Sequence, residues 1–126
     1  MARPAVANPH QAKRRAPRVR PAKGHPIEIQ IIGGEFLDIF HARNISEGGV
    51  KVMVPHLFEG CDVDHEVDLI VTLPGGRPFS TRGRIRHRQD AGDVRAFGVQ
   101  LIRLSNADRA SVAAYVQKRL AEGGET

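Results

Sequence analysis

The sequence predicts a mainly β fold: a six-stranded antiparallel barrel followed by one C-terminal α-helix, with a flexible basic arm in front. Three observations carry this. From Pro26 to about residue 104, apolar residues recur mostly at every second position, the pattern of strands with one buried face. Clusters rich in Gly, Pro and Asp interrupt that pattern at short intervals, as turns between strands do. The period changes to helical spacing after Ser105. Short antiparallel strands must bury a common face and dispose of their edges. A closed or nearly closed barrel, with the helix covering one opening, does both. With 126 residues the chain can bury one core but not two.

Each element follows from local pattern. Ile27, Ile29 and Ile31 alternate with Glu28 and Gln30 in a first strand, and Gly33-Gly34 suits a two-residue hairpin turn. Glu35 to Ile45 forms the second strand, and Val50, Val52 and Val54 mark the third. A loop over Pro55–Asp64 precedes a fourth strand through Val67, Leu69, Val71 and Leu73, which Pro74-Gly75-Gly76 ends. Phe79 to Arg88 is the fifth strand, Asp90–Asp93 a turn, and Val94 to Leu104 the sixth, with Phe97, Val99 and Leu101 on one face. Ser105 to Asp108 reads as a helix cap with an acid in the first turn. Val112, Tyr115, Val116, Arg119 and Leu120 then recur at helical spacing, and Gly123-Gly124 stops the helix. The pattern does not set the strand order.

Charge is unevenly spread. The chain carries +5 overall, but residues 1–23 hold seven Lys/Arg and no acid. The remaining twelve Lys/Arg face fourteen Asp/Glu, so the body is slightly acidic at −2. The basic segment also contains Pro4, Pro9, Pro17 and Pro21 and shows no helical or strand period, which predicts a flexible arm. The chain thus divides into an arm, residues 1–23, and a barrel with its helix, residues 24–122.

Several function classes find no support. The single Cys61 rules out an internal disulfide and suits a cytoplasmic setting. No apolar run approaches the ~18 residues of a membrane span, and no apolar segment follows the N-terminal charges as in a secretory signal. His10, His25, His41, His56, His65 and His87 include no i, i+4 pair, so no metal site is expected. Ser46 lies in a polar turn that lacks the Gly-x-Ser-x-Gly pattern of a nucleophile elbow. No phosphate-loop or dinucleotide glycine pattern occurs. Neither catalytic residues nor a cofactor are expected. Arg82, Arg84, Arg86 and Arg88 occupy alternate strand positions and are expected on one face, either neutralised by neighbouring acids or forming a positive wall.

Two stretches remain that suit a ligand. Arg14-Arg15-Ala16-Pro17-Arg18 offers two guanidinium forks four residues apart, the geometry that grips phosphate and the O6/N7 edge of guanine. Asn44-Ile45-Ser46-Glu47-Gly48-Gly49 offers an amide and a hydroxyl, with glycines that permit close backbone approach and φ > 0. Together they suit a small anion that also carries hydrogen-bonding rings.

In this order and context the two stretches resemble the PilZ domain family, whose pattern is Arg-x-x-x-Arg in an N-terminal loop and [Asp/Asn]-x-Ser-x-x-Gly about two strands later. The likeness continues in Gly49-Val50-Lys51-Val52, Leu73-Pro74-Gly75-Gly76, Gly83-Arg84-Ile85, Gly98-Val99-Gln100-Leu101 and the closing helix, over roughly residues 13–120. Asn stands at 44 where Asp is commoner. The resemblance implies a PilZ-like barrel that binds cyclic di-GMP on its outer surface. Arg14 and Arg18 would contact phosphate and guanine, and Arg15 a further phosphate. Asn44 and Ser46 would hydrogen-bond the ligand, while Gly48 and Gly49 shape the turn. Such a chain would be a receptor, a monomer or weak homodimer, that orders its arm on binding and signals to a protein partner. The alternatives are a ligand-free adaptor of pilus or flagellar machinery and a nucleic-acid binder using the basic arm. Five Phe, one Tyr and no Trp argue against the base-stacking platform the last would need.

Overall fold

Ile27, Ile29 and Ile31 are fully buried while Glu28, Gln30 and Ile32 between and beyond them are only half-buried, so the period-two pattern becomes an inside and an outside. The structure is a computed structural model describing residues 16–32, 37–54, 62–91 and 94–126. Six strands follow in order: β1 (Glu28–Ile32), β2 (Leu37–Ser46), β3 (Gly49–Met53), β4 (Glu66–Thr72), β5 (Phe79–Ala91) and β6 (Val94–Leu101). One helix, α1 (Asn106–Ala121), comes after them. All pairings are antiparallel, and the strands close into a barrel in the order β1-β2-β3-β6-β5-β4, with β4 paired back onto β1. Closure removes the free sheet edges. This is the six-stranded antiparallel barrel with a C-terminal helix that the sequence predicts.

The core is built from inward residues of every strand, among them Phe40, Ile45, Val52, Leu69, Ile85 and Phe97. Phe40 and Phe97 meet edge to face across the interior, with ring centroids 6.4 Å apart and planes at 82°. Helix α1 starts at an N-cap, where Ser105 accepts a hydrogen bond from the Asp108 amide, and Gly123 beyond its end adopts φ 82°. Val112 and Val116, one turn apart on its apolar stripe, are fully buried in the same cluster as the strand residues. No helix of the described residues is long and apolar enough to cross a membrane.

Strand ends differ from the expectation by a few residues. β5 runs on to Ala91, where it pairs with Val94. β6 stops at Leu101 rather than Leu104, because pairing ends where Leu101 and Ile102 donate to the carbonyls of Gly48 and Arg82. The Gly33-Gly34 turn and residues 55–61 of the expected loop lie outside the described residues.

A larger difference concerns the arm, expected to be free through residue 23. Its described part, from residue 16, packs against the barrel. β1 pairs with β2 only as far as His41, which leaves that edge of β2 open beyond. Val19 fills it: its amide donates to the Ile45 carbonyl and its carbonyl accepts from the Ile45 amide, both at 3.0 Å. On its other side the segment pairs with the chain's far end. Arg20 donates to the Gly124 carbonyl at 2.8 Å and Thr126 to the Arg18 carbonyl at 3.0 Å, while Arg119 Nε reaches the Arg20 carbonyl at 2.7 Å. Val19 is fully buried, which offsets the ordering of its neighbours by roughly 1.5–3 kcal/mol.

Two β-bulges complete the frame. In β2 the register shifts between Ala42 and Asn44, and in β5 between Ile85 and His87. An extra residue reverses the alternation beyond it. Inward Ala42 is therefore followed by inward Ile45, which turns Asn44 and Ser46 to the outer surface.

Candidate functional site

The outer face of β2-β3-β6-β5 brings the polar residues into rows. Asn44 pairs with Lys51, Lys51 with Gly98 and Gly98 with His87. In the next row Ser46 pairs with Gly49, Gly49 with Gln100 and Gln100 with Arg84. Arg18 joins this face through Val19. Since Val19 points into the core, alternation puts the preceding side chain outside, beside Asn44. Arg18 Nη1 donates to Asn44 Oδ1 at 3.0 Å. Beneath it Asn44 is 9% and Ser46 4% exposed, and Ser46 Oγ donates to the Gly49 carbonyl at 3.5 Å.

Gly49 has a role other than the expected left-handed turn. Neither it nor Gly48 adopts positive φ; among glycines of the described residues only Gly24, Gly75 and Gly123 do. What residue 49 requires is space. A Cβ there would lie 3.0 Å from the Val99 carbonyl oxygen and 3.9 Å from Arg18 Nη2. The bare backbone lets the guanidinium lie close over the sheet.

These groups border a groove of about 350 Å³ lined by Arg18, Ser46, Gly48, Gly49, Arg86, His87 and Gln100, with Ala16, Gly98 and Val99. Among the described residues its lining holds cations and no carboxylate. The amide under Arg18 is neutral and leaves the guanidinium charge uncancelled. Such a surface attracts an anion and offers it directed donors. Arg14 and Arg15 lie outside the described residues. The structure therefore brings together Arg18, Asn44, Ser46, Gly48 and Gly49 of the expected set. A larger cavity, about 670 Å³, lies on the far side of Val19's segment between α1 and the Pro74-Gly75-Gly76 turn.

The arginine stripe of β5 does not share one face. Arg82 and Arg84 point outward into a carboxylate cluster: Arg82 bonds Glu66 at 3.0 Å and Asp68 at 3.3 Å, and Arg84 bonds Glu66 at 2.8 Å. These hydrogen bonds, Arg84's first, hold the Glu66 carboxyl below its ordinary range and raise Arg84. The bulge then reverses the alternation. Arg88 pairs with inward Phe97, and its guanidinium stands 5.3 Å from that ring's centroid, 3.8 Å from Asp62. Arg86 and His87, opposite Gly98, are the pair that faces the groove.

Sequence reasoning missed His87 and Gln100 as site residues and Gly98 as the space-giving glycine. Gly98 interrupts a strand, a mark of close approach by another group, and that signal was available. Among the described residues no group of three His, Cys, Asp or Glu side chains could hold a metal ion.

Comparison with known proteins follows the same lines. A protein-family match, described as PilZ domain, covers residues 12–118. No curated protein sequence gives a match. Among solved structures, the Bacillus subtilis inhibitor of motility MotI/DgrA superposes with a TM-score of 0.76 at 19% identity, over 87% of this chain and 52% of that one. The PilZ domain with c-di-GMP of YcgR from Escherichia coli gives 0.72 at 11% identity, over 88% and 94%. The K. pneumonia MrkH-c-di-GMP complex gives 0.76 at 15% identity, over 94% and 55%. The chain thus spans about half the length of the first and third of these proteins.

Proposed function

The chain belongs to the PilZ domain family, and from that premise we propose that it is a receptor for cyclic di-GMP, bound in the groove beneath Arg18. The observation that carries this reading is the Arg18–Asn44 hydrogen bond at 3.0 Å, which holds a guanidinium over a glycine-floored surface that no carboxylate of the described residues lines. A cyclic dinucleotide supplies what such a surface selects: phosphates for the arginine fork, and guanine edges for both arginine and the Asn44 and Ser46 groups. Arg14, four residues before Arg18, and Arg15 act from the preceding segment as further phosphate and guanine contacts. That two solved relatives of this fold contain c-di-GMP supports the reading.

Val19 fixes Arg18 to the barrel, and ligand binding draws the arginines of the arm together around the phosphates. The newly covered surface then engages or releases a protein partner in the cytoplasm, with the chain acting as a receptor and not a catalyst. Isothermal titration of cyclic di-GMP tests this. The wild type is expected to bind, and Arg14→Ala and Arg18→Ala to lose binding while keeping the strand signature in circular dichroism. Wild-type affinity in both variants would overturn the assignment.

A further inference from the structure

At the far wall of the groove, the bulge in β5 sets two residues, Arg86 and His87, against the single Gly98 of β6, and both side chains are exposed on the outer surface. The space over Gly98 is occupied. A Cβ built there would lie 2.1 Å from His87 Nε2 and 2.5 Å from both Cδ2 and Cε1. Distances so nearly equal place that point over the ring plane and not beyond its tip, so the imidazole lies flat across the Gly98 backbone. One ring face rests on β6; the opposite face turns away from the barrel, into the groove. A flat aromatic face with a fixed backing is what a nucleobase stacks on, and the exchange of a Cβ for a ring makes room for it. Asn44 and His87 end the same row, three strand spacings or about 14 Å apart. Asn44 and His87 thus stand on opposite sides of the surface, with the Arg18 guanidinium reaching over Gly49 between them, which suits a ligand carrying two bases.

We propose that His87 is a base-stacking residue of this site: its outward imidazole face takes one purine ring of the bound cyclic dinucleotide, on the β5 side of the groove. The proposal rests on the cyclic di-GMP reading. It adds a contact outside the two motifs and assigns Gly98 the task of seating the ring.

Titrating cyclic di-GMP into wild type, His87→Ala, His87→Phe and Gly98→Ala tests it. His87→Ala is expected to weaken binding about tenfold or more, the scale of one lost base–aromatic stack. His87→Phe keeps the flat face and is expected to stay within about threefold of wild type, separating stacking from a polar contact. Gly98→Ala keeps the histidine but lifts its ring, and is expected to weaken binding as His87→Ala does. In NMR the His87 ring protons of the wild type should move upfield on saturation, as a purine placed over the ring requires. Unchanged affinity in His87→Ala, or a His87→Phe as weak as His87→Ala, overturns the stacking role while the receptor reading stands. No binding by the wild type overturns both.

Discussion

Two faces of one barrel carry exposed arginines and use them in opposite ways. On the β4–β5 face, Arg82 and Arg84 are spent on Glu66 and Asp68 at 2.8 to 3.3 Å. On the β2-β3-β6-β5 face, Arg18 rests on a neutral amide, and Arg86 lines a groove that has no carboxylate among the described residues. The arginines are equally accessible to a reader of the sequence. What separates a solvated face from a candidate binding face is the partner opposite: a carboxylate cancels the field, whereas an amide orients the guanidinium and leaves its charge available.

That contrast can be broken most forcefully at Arg18. Arg18→Ala is expected to abolish measurable cyclic di-GMP binding, since it removes charge-assisted hydrogen bonds worth about 1.5–3 kcal/mol each. Arg84→Ala should leave affinity unchanged; equal losses in the two variants would erase the distinction between the faces. Asn44→Ala comes next, with a loss of about 1 kcal/mol in binding, because it removes a neutral group that positions Arg18. Arg86→Ala should weaken binding by a few-fold at low salt and less at high salt, as an exposed cation without a fixed contact does.

The smallest effect belongs to Glu66. Its depressed carboxyl pKa means that its ion pairs stabilise the fold above the ordinary value of 4.5 and that this contribution disappears as pH falls through the depressed value. Thermal melts of wild type and Glu66→Gln should therefore differ slightly at neutral pH and converge in acid. The same substitution frees Arg84, whose neighbour Gln100 borders the groove, and should raise affinity by about twofold at low salt only.

Much of the barrel was readable because alternation records burial directly: Ile27, Ile29 and Ile31, or Val67, Leu69 and Val71, needed no further context. The bulges were not readable. Arg43 and Arg86 are ordinary strand residues, and a one-residue shift leaves no compositional trace, yet it decides that Asn44 faces outward and that Arg88 leaves the stripe. The docking of Val19 was also hidden. It is a lone apolar residue amid proline and arginine, and its partners Ile45 and Glu125 come from distant parts of the chain. Motif residues 18, 44, 46, 48 and 49 were legible as a set through resemblance. The role proposed for His87 was not, because it rests on an absent side chain across the sheet, at Gly98.

The clasp around Val19 also bears on how the molecule assembles. Arg18 is tied to Thr126 across 108 residues of sequence, while the β2–β3 hairpin that carries Asn44 and Ser46 closes locally. Loop-closure entropy and high contact order make the distant pairing late. In refolding, barrel formation should precede recovery of ligand binding, which stopped-flow mixing with a fluorescent cyclic dinucleotide can follow. Removing residues 123–126 should widen that lag and leave the strand signal's rate unaltered. On the proposed reading, ligand binding is then a property the chain gains only once the Val19 segment has met residues 124–126.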